Sequence, residues 1–145
     1  MFSQQEPTMS ATRVLTGTFG VLTCLLALSA QADAADINGA WVTPQDACTK
    51  VLAKRGNSIS FADDADLYGS GFIIDGNRIT GKIATCTIKS RKQDGAILHL
   101  MTSCSTDIAL QDVHFGLKQE GEDKLIRLFP GLPELDRTYH RCTFR

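Results

Sequence analysis

Net charge is the first thing this sequence lacks. Fifteen Lys and Arg stand against 16 Asp and Glu, a formal charge of -1 over 145 residues. Neutralising several phosphates takes a concentrated basic face, so nucleic acid is excluded as a partner. Internal repeats, low-complexity tracts and linker-like stretches are absent too, which excludes disordered, collagen-like and multi-domain chains. What remains, at 43% hydrophobic and 21% charged residues, is the composition of one globular domain around a single core.

Catalytic motifs are also missing. No serine sits in a G-x-S-x-G elbow, and Gly69-Ser70-Gly71 has neither that spacing nor a helix after it. Paired carboxylates occur only in Asp63-Asp64-Ala65-Asp66, where nothing points to the burial that would separate their pKa values. The expectation is a non-enzymatic protein without a cofactor.

The first segment reads as an address. Val14–Ala30 (VLTGTFGVLTCLLALSA) is uncharged and mostly apolar, follows Arg13, and ends in the small-residue motifs Ala30-Gln31-Ala32 and Ala32-Asp33-Ala34. These are the n-region, h-region and cleavage site of a secretory signal peptide over residues 1–32, with Met9 as an alternative start. Gly17, Thr18, Gly20 and Thr23 dilute the stretch too far for a membrane anchor, so no stable membrane insertion is expected after cleavage. Cys24 is followed by more apolar sequence, the wrong order for a lipidated cysteine, and leaves with the signal. The mature domain is residues 33–145, in a periplasmic or secreted location.

That domain keeps Cys48, Cys86, Cys104 and Cys142, spaced 38, 18 and 38 apart. Structural zinc sites use close ligand pairs, whereas an even number of scattered cysteines in an exported chain indicates two disulfides. Strand parity selects the pairing. In 82–90 the residues Ala84, Cys86 and Ile88 share a face; in 96–104 Leu98, Leu100, Thr102 and Cys104 do, and Asp94-Gly95 marks a hairpin between them. Cys86 then meets Cys104, and Cys48 is left to join Cys142.

Residues 36–42 suggest a short opening strand. A helix is expected next, with Thr43 as N-cap, Pro44 at the first helical position, Asp46 in a capping box and Gly56 beyond the end. Its stripe would be Ala47, Cys48, Val51 and Leu52, with Lys50, Lys54 and Arg55 near the C-terminal dipole. From Ser58 onward the period is that of strands: 58–61, 71–75, 78–80, 82–90, 96–104, 107–118, 124–129 and 137–144, divided by turns such as Asp75-Gly76-Asn77 and Glu120-Gly121. The predicted fold is mainly β, a small antiparallel meander closed as a barrel or folded as a sandwich, with one N-terminal helix across an end or an open edge.

Candidate sites are few. Asp64, Asp66, Gly69 and Asp75 fall at EF-hand positions 1, 3, 6 and 12, but Tyr68 occupies position 5 and the flanks are strand-like, so an acidic solvated loop is the better reading. His99 and His114 lie on the outward parity of their strands, and His140 shares parity with Cys142; no metal site is assigned. Arg127, Arg137, Arg141 and Arg145 occur near Phe129, Tyr139 and Phe144, a mixture that suits an interaction surface or a protected strand edge. Trp41, Tyr68, Arg127, Tyr139 and Arg141 form the candidate ligand or partner surface.

Gly39-Ala40-Trp41 resembles the Gly-x-Trp opening of lipocalin-like barrels and of the small periplasmic inhibitors of secreted metalloproteases. The resemblance implies a barrel with Trp41 plugging one end. The expected function is a binding or inhibitor module for an unknown protein or small-molecule partner; the alternatives are a carrier of apolar ligands, with a cavity behind Trp41, and a structural envelope protein.

Overall fold

A computed structural model describes residues 36–144. The expected signal segment, with Cys24, and Arg145 lie outside the described residues. The elements are β1 (Gly39–Thr43), a 3-10 turn (Gln45–Ala47), α1 (Cys48–Val51), β2 (Leu52–Arg55), β3 (Ser58–Phe61), β4 (Ser70–Asp75), β5 (Arg78–Thr80), β6 (Thr85–Asp94), β7 (Ile97–Ser105), β8 (Leu110–Glu120), β9 (Lys124–Leu128) and β10 (Arg137–Arg141). The chain is mainly β. Eight strands close an antiparallel barrel in the order β1-β10-β9-β8-β7-β6-β5-β4, and β2 with β3 makes a separate hairpin.

Alternation decides what faces inward. On the long ladders Leu98 pairs Leu117, Leu100 pairs Phe115 and Thr102 pairs Val113, so each inward residue meets another across the strand. These join Trp41, Phe72, Ile74, Ile79, Cys86, Ile88, Cys104, Leu125 and Tyr139 in the barrel core. Thr102 is its buried polar member, and its hydroxyl donates to the Val113 carbonyl at 2.8 Å. Between Ile88 and Ser90 the register of β6 shifts; this bulge turns Arg91 and Gln93 to the parity of Leu100 and Leu98.

Both expected disulfides form, Cys86–Cys104 as strand parity predicts and Cys48–Cys142 as the remaining pair. Cys86 and Cys104 are register partners and bond inside the barrel. Cys48 bonds Cys142, fastening α1 to the segment after β10. Ala40 and Val42, on the face of β1 opposite Trp41, are buried by a second cluster that includes Ala47, Val51, Leu52, Ala65 and Cys142. The short helix and the β2–β3 hairpin therefore pack on the outside of a closed barrel, and Val51 and Phe61 reach its open end.

The helix itself is much shorter than expected. Thr43 is no cap; it is the last residue of β1, paired with Ser70, and Pro44 is extended at φ -70° and ψ 168°. The α-helix ends at Val51 because Leu52 enters a strand whose partner is Phe61. Gly56 explains the difference. Its φ of +61° is the conformation that ends helices and also the one that reverses hairpins. Here it turns β2 into β3. Among the described residues no helix is long and apolar enough to cross a membrane, and two disulfides suit an oxidising compartment.

Candidate functional site: the open mouth of the barrel

The two ends of the barrel differ. One carries the β4–β5 and β8–β9 turns and the segment before β1. Trp41 is fully buried there, its indole N–H donating to the Ile37 carbonyl at 2.9 Å. The Arg141 guanidinium lies 4.3 Å from the Trp41 ring and bonds three backbone carbonyls, those of Asp36, Asn38 and Glu122. Indole, guanidinium and strap close this end. Asp36 accepts two hydrogen bonds from Asn38, from its backbone and from its side chain, which hold its carboxyl below the ordinary value.

The opposite end is open. A cavity of about 290 Å³ enters the barrel, walled by Phe72, Ile79, Cys86, Phe115, Arg127 and Tyr139, with Phe61, Asp66 and Lys82 at the rim. Phe72 and Tyr139 meet edge to face at 4.7 Å. Lys82 spans the rim, donating to the Ala62 and Asp63 carbonyls at 2.7 and 2.9 Å. The Cys86–Cys104 disulfide braces the wall.

Arg127 is the unusual member. It shares the inward parity of Leu125 on β9, so its guanidinium enters the mouth, 4.4 Å from the Phe115 ring and 4.7 Å from the Phe129 ring. Among the described residues it forms no ion pair. Burial lowers its pKa from the ordinary value, and Tyr139 beside it opposes that shift. A half-buried cation facing aromatic rings, without a carboxylate, retains an unused capacity for a bidentate anion.

The five candidate surface residues do not share one surface. Trp41 and Arg141 build the closed end. Tyr139 is buried and Arg127 half-buried in the mouth, and Tyr68 stands exposed at its rim with the Lys50 ammonium 5.3 Å from its ring. An exposed recognition surface made of Trp41 and Tyr139 is thus corrected by their inward parity; the cavity that enters the barrel is walled by Phe72, the register partner of Trp41, and not by Trp41 itself. Asp75 lies at the far end of β4 from Asp64 and Asp66, which dissolves the EF-hand pattern. The residues missed by inspection of the sequence are Phe72, Phe115 and Lys82. Phe115 carried a signal in its parity with Val113, and an arginine two residues from Leu125 carried another.

His99 and His114 meet on the outer wall, Nδ1 to Nε2 at 2.9 Å with rings stacked 12° apart. His140 stays apart on β10. Among the described residues no group of three or more His, Cys, Asp or Glu side chains is placed to hold a metal ion.

Fold and mouth together define a class: a small closed antiparallel barrel, disulfide-braced, with one sealed end and one open, cation-bearing end. At the level of the particular protein, the sequence matches no protein-family model, no curated protein and no solved structure.

Proposed function

We propose that this is an exported, non-enzymatic binding protein of the periplasm or the cell exterior, and that its ligand is a small amphipathic anion held in the open mouth. One observation carries the reading: the Arg127 guanidinium sits in an aromatic cavity with no counter-ion among the described residues. The apolar walls take the ligand's hydrocarbon part, and Arg127 takes its carboxylate or similar head group. The Tyr139 hydroxyl beside Arg127 supplies a further donor. Octanoate, octanol and octylamine, titrated into isotopically labelled protein, separate the contributions. Octanoate is expected to shift amide signals of 70–72, 115 and 127 at least tenfold more tightly than octanol, with octylamine inert. Equal binding of all three would remove the anion from the proposal.

A second reading, inhibition of a partner protein, rests on the rim. Among the described residues, the exposed large hydrophobics other than Met101 are Leu67, Tyr68, Ile83, Ile108, Leu110, Leu132 and Leu135. All seven belong to segments joining strands at the open end or to the first residue of β8. Asp63, Asp64, Asp66, Asp107 and Glu134 accompany them, so this rim suits the cleft of a cationic hydrolase. Stoichiometric inhibition of a basic lysozyme or a protease supports it; absence of inhibition across such a panel leaves the small ligand alone.

A further inference from the structure

The outer wall of the barrel carries a cluster that neither the mouth nor the rim uses. His99 and Met101 lie two residues apart on β7 and face the same way, and Met101 is the direct register partner of His114 on β8. The three side chains therefore occupy adjacent positions of one outward face. Met101 is 46% exposed, and the two imidazoles already stand nitrogen to nitrogen at 2.9 Å.

We infer that His99, His114 and Met101 form a copper-binding site. Metal–imidazole bonds run about 2.0–2.1 Å, so two nitrogens at right angles about one ion are separated by about 2.9 Å, whereas tetrahedral ligands stand about 3.3 Å apart. The observed 2.9 Å is an ordinary N–H···N hydrogen bond, which holds the two nitrogens within the span that a single ion bridges in either geometry. The thioether of Met101 adds a soft donor, the ligand type that selects Cu(I) over zinc. A pair of ligating imidazoles with a thioether thus accepts both oxidation states.

In the metal-free protein one ring nitrogen donates to the other. Binding needs a lone pair on both, so the donating ring transfers its proton to its own second nitrogen through solvent; no proton is lost overall. Lys92 is the register partner of His99 on β6, and Asp112 lies two residues before His114 on the same face. These flanking charges have opposite sign and largely offset each other.

The test uses the disulfide-bonded protein. Cu(II) titration followed by electron paramagnetic resonance is expected to show one tetragonal ion with nitrogen coupling from two imidazoles. Competition with a chromophoric chelator measures Cu(I). His99→Gln and His114→Gln are each expected to weaken Cu(II) binding at least tenfold, and Met101→Leu to weaken Cu(I) at least tenfold while leaving Cu(II) within threefold. All three side chains project from the outer face, and an unchanged near-ultraviolet circular dichroism spectrum verifies that each variant folds. Cu(II) binding that survives the double His99→Gln, His114→Gln change, or Cu(I) affinity indifferent to Met101→Leu, overturns the site. Octanoate binding in the mouth is expected to be the same with and without copper, so this outcome is independent of the ligand reading.

Discussion

Arg141 accepts its position from three backbone carbonyls and the Trp41 ring at once. A guanidinium fork can serve carbonyls in several directions while stacking on an indole; an ammonium cannot. Arg141→Lys is therefore expected to lower stability by about 1.5–3 kcal/mol, the range for hydrogen bonds to charged groups, read from urea unfolding. Amide exchange should accelerate at 36–41 and leave the mouth unaffected. Asp36 belongs to the same closure, and its carboxyl is held below the ordinary value of 3.8 by the hydrogen bonds from Asn38. A carboxyl depressed in the folded state stabilises fully above its unfolded pKa and loses that contribution as pH falls through the folded one. Asp36→Asn should accordingly flatten the acid side of the stability profile below about pH 4, where the unfolded carboxyl begins to bind protons, and leave the neutral region's slope unchanged. Both residues were visible in the sequence as an arginine and an aspartate near strand ends. Their meeting was not, because 105 positions separate them and only barrel closure brings them together.

At the level of elements, the two disulfides differ in what they fasten. Cys86–Cys104 closes a separation of 18 residues between hairpin neighbours, whereas Cys48–Cys142 spans 94 and holds α1 and the β2–β3 hairpin to the barrel. Chain-entropy arguments assign about 3 kcal/mol to a short loop and about 4.7 kcal/mol to one near 100 residues. Replacing Cys48 and Cys142 by Ala should cost more stability, by about 1–2 kcal/mol, than replacing Cys86 and Cys104. The ligand site should respond in the reverse order, since Cys86 lines the mouth. Denaturant midpoints and octanoate titrations of the two double variants measure both. Gly71 is a third point of closure: a Cβ there would lie 2.5 Å from the Trp41 carbonyl oxygen, so β1 and β4 approach only with glycine between them. The strands from β4 to β10 were legible because alternation and turn residues are local signals, and the same parity selected Cys86–Cys104, leaving Cys48 and Cys142 as the second pair. The helix was misjudged for an equally physical reason. Val51 and Leu52 satisfy a helical stripe and a strand alike, and the left-handed Gly56 serves either ending; the Leu52–Phe61 pairing decides.

For the whole molecule, a sealed end and an open end make stability and binding compete at Arg127. Alternation along β9 puts this arginine on the parity of Leu125, a local signal, although its arginine and aromatic neighbours in the sequence point to an interaction surface or a strand edge. Which end of the barrel stays open was not legible, since that depends on Trp41, Arg141 and the strap assembling at the other. Removing water from a guanidinium without giving it a carboxylate costs folding free energy, only partly offset by the Phe115 and Phe129 rings. Arg127→Met keeps the stem and the aromatic contacts and removes the charge, so the ligand-free variant is expected to be more stable by about 1 kcal/mol. A ligand that binds only the folded chain adds RT ln(1 + [L]/Kd), about 2.7 kcal/mol at one hundred times Kd. Wild-type protein should therefore rise in melting temperature with octanoate concentration and cross above Arg127→Met, whose melting temperature stays flat. Thermal unfolding of the two proteins across an octanoate series checks this, with octanol as control. Parallel rises in both would show that Arg127 does not hold the head group, and a ligand-free variant less stable than wild type would show that the aromatic cage already satisfies the charge.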